Sequence, residues 1–450
     1  MRVWGKRPGQ HPVVGALLAL SLAVAAIFFL QIRTAEALPS FARQTGQQCA
    51  ACHNGFPELT PYGRLFKLNG YTFGGGSSPW PPLAAMAVGS FTNTKADQAG
   101  GAAPHYGPNN NFAFDQGSIF YGGRILPDLG AFIQVTYDGI GRAFSWDNAD
   151  IRYARTTTLF GAETVVGISA NNNPTVTDVW NTTPAWGYPF QASGLAGSPA
   201  AATMIEGAFS GLVGGATAYT YWNRLVYVEL GGYGTLSPGM QRALGEPDSS
   251  TNNVINGVAP YWRLALQHEW GRNSIEAGTF GMSAAVTPMR IFGFGRDRIT
   301  DTGFDTQYQY LADRHSFSLQ ASVIFENALF GASSNPAIGA TANSHDTLRS
   351  THIKATYYYD QTYGATVGAF RVDGTPDPIL YANPTNNSPN STGYIGELDY
   401  IPFNHGGPAF WPWLNVKVGL QYIYYPEFNG LRGSAAQANN TLYAFAWLAF

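Results

Sequence analysis

Along most of the chain, hydrophobic and polar residues alternate one by one. In the stretch 131–138, Ala131, Ile133, Val135 and Tyr137 share one face, and Phe132, Gln134, Thr136 and Asp138 the other. In 316–326, Phe317, Leu319, Ala321, Val323 and Phe325 oppose Ser316, Ser318, Gln320, Ser322 and Glu326, and in 415–425 Val416, Val418, Leu420, Tyr422 and Tyr424 oppose Asn415, Lys417, Gly419 and Gln421. A period of two predicts β-strands with one apolar and one polar face. Stretches rich in Gly, Pro, Ser and Asn at 97–111, 171–203, 234–258, 331–346 and 373–393 read as long loops between the strands.

Composition decides what surrounds the apolar face. Charged residues are only 12 % of the 450, aromatics reach 14 %, and there are 53 glycines. That is about half the charge of an ordinary soluble domain. Beyond Leu30 no long apolar run exists from which a membrane helix could be made. The expectation is an all-β fold: a closed antiparallel transmembrane β-barrel, whose strands need apolar side chains only at alternate positions. Closure is required because an open edge in lipid leaves backbone groups unpaired. About 370 residues from Pro79 onward accommodate about sixteen strands, with fourteen or eighteen also fitting. Tyr357 to Tyr359, Trp411 and Trp413 suit interfacial aromatic girdles, and the closing strand TLYAFAWLAF, ending on Phe450, is similar to the assembly signal of bacterial outer-membrane barrels.

The N-terminal segment differs. Arg2, Lys6 and Arg7 precede an apolar run from Val13 to Leu30 and a small-x-small site at Ala35 to Ala37, so residues 1–37 read as a signal peptide. The run also reaches the lower bound for a membrane span, which keeps an uncleaved inner-membrane anchor as the competing reading. Without residues 1–37 the chain holds twenty-one basic and twenty-seven acidic residues, a net charge of about −6, which argues against nucleic acid and leaves room for cationic partners.

Both cysteines of the chain lie just beyond, as Cys49-Ala-Ala-Cys52-His53. A disulfide here would close too small a loop to stabilise much, and neither a thioredoxin-like context nor four zinc ligands are evident. Cys-x-x-Cys-His is the attachment signature of c-type haem, with two thioethers from Cys49 and Cys52 and His53 as an axial iron ligand. One covalent haem c is therefore the expected cofactor. Residues 38–78 are too few for a core of their own and read as a haem plug needing a second wall, with 79–450 as the barrel that supplies it. Thr60 and Gly70 bracket a short helix around Pro61 to Leu68, in which Leu65, Phe66 and Leu68 are candidates to cover the haem, and Arg43, Arg64 and Lys67 to neutralise its propionates. Met86 and His105 come up as second iron ligands, but ordinary packing is the better reading of each. An acidic stretch with Asp297, Asp301, Asp305 and Asp313 offers hard oxygen donors, yet it carries Arg296, Arg298 and Arg314 as well and reads as ordinary polar lumen. His268 lacks the second histidine of a zinc protease, since Arg272 stands there.

The segment from Leu38 to Phe73, through Phe41, Arg43, Cys49, Cys52, His53, Pro57, Gly63, Arg64, Phe66, Lys67 and Gly70 to Tyr71, with the C-terminal strands, resembles the fused outer-membrane cytochrome-porin family, which includes iron-oxidising cytochromes. The resemblance implies one haem c in a plug within a porin of about sixteen strands, in the outer membrane of a Gram-negative bacterium. It also implies electron transfer from an extracellular donor, ferrous iron among the candidates, to a periplasmic carrier. On this reading the protein is an electron-transfer protein more than an enzyme. The alternatives are a diffusion porin whose haem plug is structural or sensory, and an enzyme with an open haem site.

Overall fold

The computed structural model describes residues 39–74, 81–207, 209, 212–245, 252–382 and 385–450. The expected signal peptide lies outside them, as does the junction at 75–80.

Sixteen long strands make one antiparallel sheet. They are β1 (Leu83–Thr94), β2 (Asn111–Leu126), β3 (Leu129–Asp138), β4 (Ala143–Leu159), β5 (Ala162–Asn171), β6 (Val213–Trp222), β7 (Val226–Thr235) and β8 (Ala259–Trp270). The remainder are β9 (Asn273–Thr287), β10 (Asp297–Leu311), β11 (His315–Phe330), β12 (His345–Tyr359), β13 (Tyr363–Gly374), β14 (Ser391–Tyr400), β15 (Asn415–Phe428) and β16 (Thr441–Ala449). Each pairs with the next, and β16 pairs with β1 from Thr441 opposite Thr94 to Ala449 opposite Met86, which closes the barrel and leaves no edge.

The alternation follows the pleat. Val367 and Leu398 point outward, 65 % and 61 % exposed, whereas Ser318, Gln320, Lys417 and Gln421 are buried inside. So much exposed apolar surface has no place in water and marks the face that lipid covers. Tyr357, Tyr359, Tyr363 and Trp411 ring one rim outside, as the girdle requires. Tyr358 departs from that expectation: one residue on along the strand it points into the lumen, where its hydroxyl donates to Asp399 at 2.9 Å. The aromatic residues of β16 are also internal, with Tyr443, Phe445 and Trp447 buried.

Connections divide by length between the two ends. At the end holding Leu83 and Phe450, the links 127–128, 160–161, 223–225, 271–272, 312–314 and 360–362 are tight turns, and 401–414 is longer. Segments 95–110, 172–212, 236–258, 331–344 and 375–390 cross the opposite end, close to the five loops expected from composition. The described residues of 172–212, up to 207, do more than cross that end: they fold down into the barrel, burying Val176, Val179 and Trp180.

Candidate functional site

The N-terminal segment lies within the lumen at the short-turn end. It is made of α1 (Pro39–Thr45), α2 (Cys49–Cys52) and α3 (Pro61–Leu68). In the single turn α2, the three-residue separation brings Cys49 and Cys52 to one side. Both are buried and neither is in a disulfide, and burial pushes the Cys52 thiol up to about 12. His53 ends the turn by donating its backbone N–H to the Cys49 carbonyl at 2.8 Å. The chain then doubles back through 54–58, bridges His53 to Leu59, and returns the Thr60 N–H to the Cys52 carbonyl at 2.9 Å.

Thr60 caps α3 as its sequence position predicted, its hydroxyl accepting from Gly63 N–H at 3.2 Å while donating to the Ala51 carbonyl at 2.6 Å. Gly70, at φ +67°, provides the left-handed stop. Gly63 in mid-helix is there for space: a Cβ would stand 2.3 Å from the Cys52 carbonyl oxygen. Its absence lets α3 lie directly on the cysteine turn.

The His53 ring is held by its Nδ1, 2.9 Å from the Pro57 carbonyl. A carbonyl only accepts, so Nδ1 carries the proton and Nε2 keeps a lone pair, the form in which imidazole binds a metal. Burial holds the imidazole neutral, lowering it to about 4 against the opposing pull of the Pro57 and Glu58 backbone. The uncovered part of the ring faces an internal cavity of about 380 Å³.

That cavity decides whether the residues present suit a haem. Its walls include Cys52 and His53, with Phe41, Phe56, Phe66 and Tyr71 from the plug, Phe120, Phe132 and Trp447 from the barrel, and Trp186 and Phe190 from 172–212. The volume falls in the range of small-molecule and cofactor sites, and the wall joins these rings to Leu59, Met86 and several prolines, with Lys67, Gln116, Gln134, Asp147, Asp178 and Asn181 among its polar groups. A flat, largely apolar macrocycle fits such walls. Cys49 does not line the cavity itself; it packs with Ala42 and Cys52 behind it.

The helix residues divide differently from expectation. Phe66 lines the cavity, but Leu65 and Leu68 pack against Trp180 and the tyrosines of the barrel wall. Of the three cations expected near propionates, only Lys67 lines the cavity, and its ammonium already donates to the carbonyls of Val176 and Asp178 at 2.7 Å each. Arg64 faces the wall, donating to Gln307 at 2.6 Å, Gln309 at 2.8 Å and Ser274 at 3.0 Å, and Arg43 reaches the Leu83 carbonyl and the Trp413 ring. A helix in a plug is covered on every side, so apolar periodicity does not tell the ligand face from the docking face.

The acidic residues of β10 do not converge. Asp297 accepts from the backbone of Ala332 and Ser333, Asp301 from that of Ile205, Asp305 pairs with Arg263 at 2.7 Å, and Asp313 pairs with Arg272 beyond the strand end. Their spacing spreads them along the barrel axis. Among the described residues no group of three or more His, Cys, Asp or Glu side chains is placed to hold a metal ion.

Strand number, antiparallel closure, an apolar outer face and a polar inner one define an outer-membrane β-barrel of the porin type, with an N-terminal segment packed inside it. No protein-family model matches the chain, and neither does any curated protein. Among solved structures it is similar to the outer-membrane channel DcaP of Acinetobacter baumannii, with 11 % identity over 84 % of this chain and 100 % of that one and a TM-score of 0.47. It is similar also to OprB of Pseudomonas putida, with 14 % identity over 82 % and 94 % of the two chains and a TM-score of 0.46. A third likeness is OmpT of Vibrio cholerae, with 10 % identity, 82 % and 97 % coverage and a TM-score of 0.42.

Proposed function

We propose that the protein is a monohaem c-type cytochrome of the outer membrane that carries electrons between an extracellular donor and a periplasmic carrier. The observation that supports this most is the aromatic cavity against Cys52 and His53, enclosed between the plug and the infolded segment 172–212. Cys49 and Cys52 would hold the haem by thioethers, each S–H adding across one vinyl group in a step that needs no oxidant. Bound there, the haem supplies a one-electron iron couple. The chain's part would be to tether it through Cys52 and through Cys49, whose side chain would have to turn out from its packing against Ala42, to present the neutral His53 Nε2 to the iron, and to flank it with Phe41, Phe56, Phe66, Trp186 and Trp447. Ferrous iron suits the donor role because it gives up one electron and becomes ferric. The plug lies beside turn 360–362, where Gln361 donates to the carbonyls of Ala50 and His53 at 3.2 and 3.0 Å, so a haem held at His53 would stand close to the short-turn end.

The test is haem absorbance in intact cells expressing the full chain with c-type maturation, after ferrous iron is added at acidic pH, beside cells carrying His53→Ala. Rapid reduction only with His53 present supports inward electron flow. A haem that dithionite reduces but iron does not removes iron as donor.

A second reading, a diffusion porin, is favoured by the sixteen strands with polar side chains inside, a barrel of the size that holds an aqueous channel. Swelling of vesicles containing the protein in small sugars tests it directly.

A further inference from the structure

The cavity at His53 receives one more side chain whose chemistry the packing does not use up. Met86, the fourth residue of β1, points inward, is 8 % exposed, and lines the same cavity as the His53 imidazole. The two are linked through aromatic rings: His53 stands 5.4 Å from Phe56 and Phe56 4.5 Å from Trp447, centroid to centroid, while Trp447 Nε1 donates to Met86 Sδ at 3.2 Å. A thioether sulfur has two lone pairs. One accepts from the indole, and the other is left.

We infer that Met86 Sδ is the second axial ligand of the haem iron, with Trp447 as the residue that positions it; this rests on the c-type haem reading above. No other described Met or His competes. His352 lies under another part of 172–212, 3.3 Å from Glu206, and the remaining described histidines beyond His53 do not line the cavity. Met204 and Met282 belong to a separate cluster, and Met240, in a short helix at Pro238–Ala243, and Met289 are exposed between the strands. Two further lining donors are already engaged: the Lys67 ammonium by two carbonyls, and the Tyr71 hydroxyl by Asp150 at 2.6 Å. A soft neutral sulfur and a neutral imidazole, which here line one cavity, are the pair of ligands that gives a low-spin electron-transfer haem of raised potential. Burial of a methionine among rings is usual in any core, but here the sulfur is held by a directed N–H rather than by packing alone.

The experiment uses the full chain, matured with haem and purified in detergent, as wild type, Met86→Leu and Met86→His. Leucine keeps the volume and apolar character of the side chain, so the barrel and plug remain intact. Covalent haem is first measured on denaturing gels in all three. The ferric spectra are then compared for the weak long-wavelength sulfur-to-iron charge-transfer band, and the ferrous forms for carbon monoxide binding. The expected result is a low-spin wild type with the band, its loss with conversion to high spin and fast carbon monoxide binding in Met86→Leu, and a low-spin Met86→His lacking the band and shifted to lower potential. A Met86→Leu spectrum identical to wild type, or a wild type that is already high-spin, overturns the assignment of Met86 while leaving the haem plug standing. Absence of covalent haem from the wild type overturns both.

Discussion

The plug is held to the barrel by a charge pair whose removal has a calculable effect. Glu58, 1 % exposed, accepts from Lys354 of β12 at 2.8 Å, from Gln309 at 2.9 Å and from Ser318 at 3.0 Å. Replacing lysine in Lys354→Met leaves a buried carboxylate with two neutral donors and no counter-charge. Breaking a buried pair on one side costs about 3–5 kcal/mol. The two remaining hydrogen bonds put the effect at the lower end, and about 3 kcal/mol weakens plug docking by roughly a hundredfold. The double variant Glu58→Gln/Lys354→Met removes both charges and should recover most of that loss, because neutral residues here leave no ion unpaired. The assay is hydrogen exchange of the amides in 39–74, measured in the purified full-length protein for wild type, both single variants and the double variant.

The same pair sets a pH dependence. Although burial alone would raise it, the charge of Lys354 and the hydrogen bonds from Lys354, Gln309 and Ser318 hold the Glu58 carboxyl below its ordinary value. A carboxyl depressed in the docked state stabilises docking fully above the undocked value of about 4.3, and that stabilisation falls away as pH drops through the docked value. Protection of the plug should therefore weaken on strong acidification in wild type and be flatter with pH in Glu58→Gln. The reasoning is refuted if Lys354→Met and the double variant lose protection equally, for then the cost lies in lost lysine packing against Phe190 and Tyr188 and not in an unpaired charge.

Three other outcomes are expected. Cys49→Ala/Cys52→Ala should abolish haem staining on denaturing gels while the barrel keeps its heat-dependent gel mobility; retained stain would show attachment elsewhere. Gly63→Val places carbon where only 2.3 Å separates it from the Cys52 carbonyl oxygen, an overpacking cost of about 1–3 kcal/mol, and should reduce haem incorporation several-fold with the barrel intact. Trp447→Phe removes the N–H donated to Met86 but keeps the ring, so the sulfur-to-iron band should weaken or shift without vanishing, for a lost hydrogen bond of about 0.5–1.5 kcal/mol.

Much of the barrel was legible because lipid outside and polar filling inside impose opposite demands on adjacent residues. Ser316, Ser318 and Gln320 turn in and Phe317 and Leu319 turn out, as period two requires. The helix at Pro61–Leu68 was legible from Thr60 and Gly70 because caps act locally. What failed was the direction of aromatic and charged residues. Tyr358 serves the inner face and not the girdle, since a plugged lumen, unlike a watery one, rewards large rings; the aromatics of β16, for which no direction was expected, share that face. Phe120 and Phe132 stand on polar-patterned faces, and what accounts for them is the cavity they line, where the Phe132 ring meets Trp186 edge-on at 5.8 Å. The loop 172–212 held a readable hint: Trp180, Trp186, Tyr188 and Phe190 are costly to leave in water. Partners more than a hundred residues apart, such as Lys67 with Val176, leave no trace in spacing.

The plug's orientation bears on the choice between electron carrier and diffusion porin. In a small soluble domain charges face water and rings face inward. Here Glu58 and Arg64 are spent on the barrel wall, Lys67 on the infolded segment, and Tyr71 on Asp150, which in turn pairs with Arg152 at 2.7 Å. The rings of Phe41, Phe56 and Phe66 are left for the cavity. A segment anchored on separate parts of the lumen cannot swing aside without breaking the buried Glu58–Lys354 pair and the charge-assisted hydrogen bonds of Arg64 and Lys67 at once. Single-channel conductance should therefore be small in wild type and rise in Glu58→Gln/Arg64→Met/Lys67→Met, where the anchors are removed and the strands untouched. A wild type that already conducts like an open sixteen-stranded channel, with no change in the triple variant, would mean that ions bypass the plug, and the diffusion-porin reading would then displace the electron carrier.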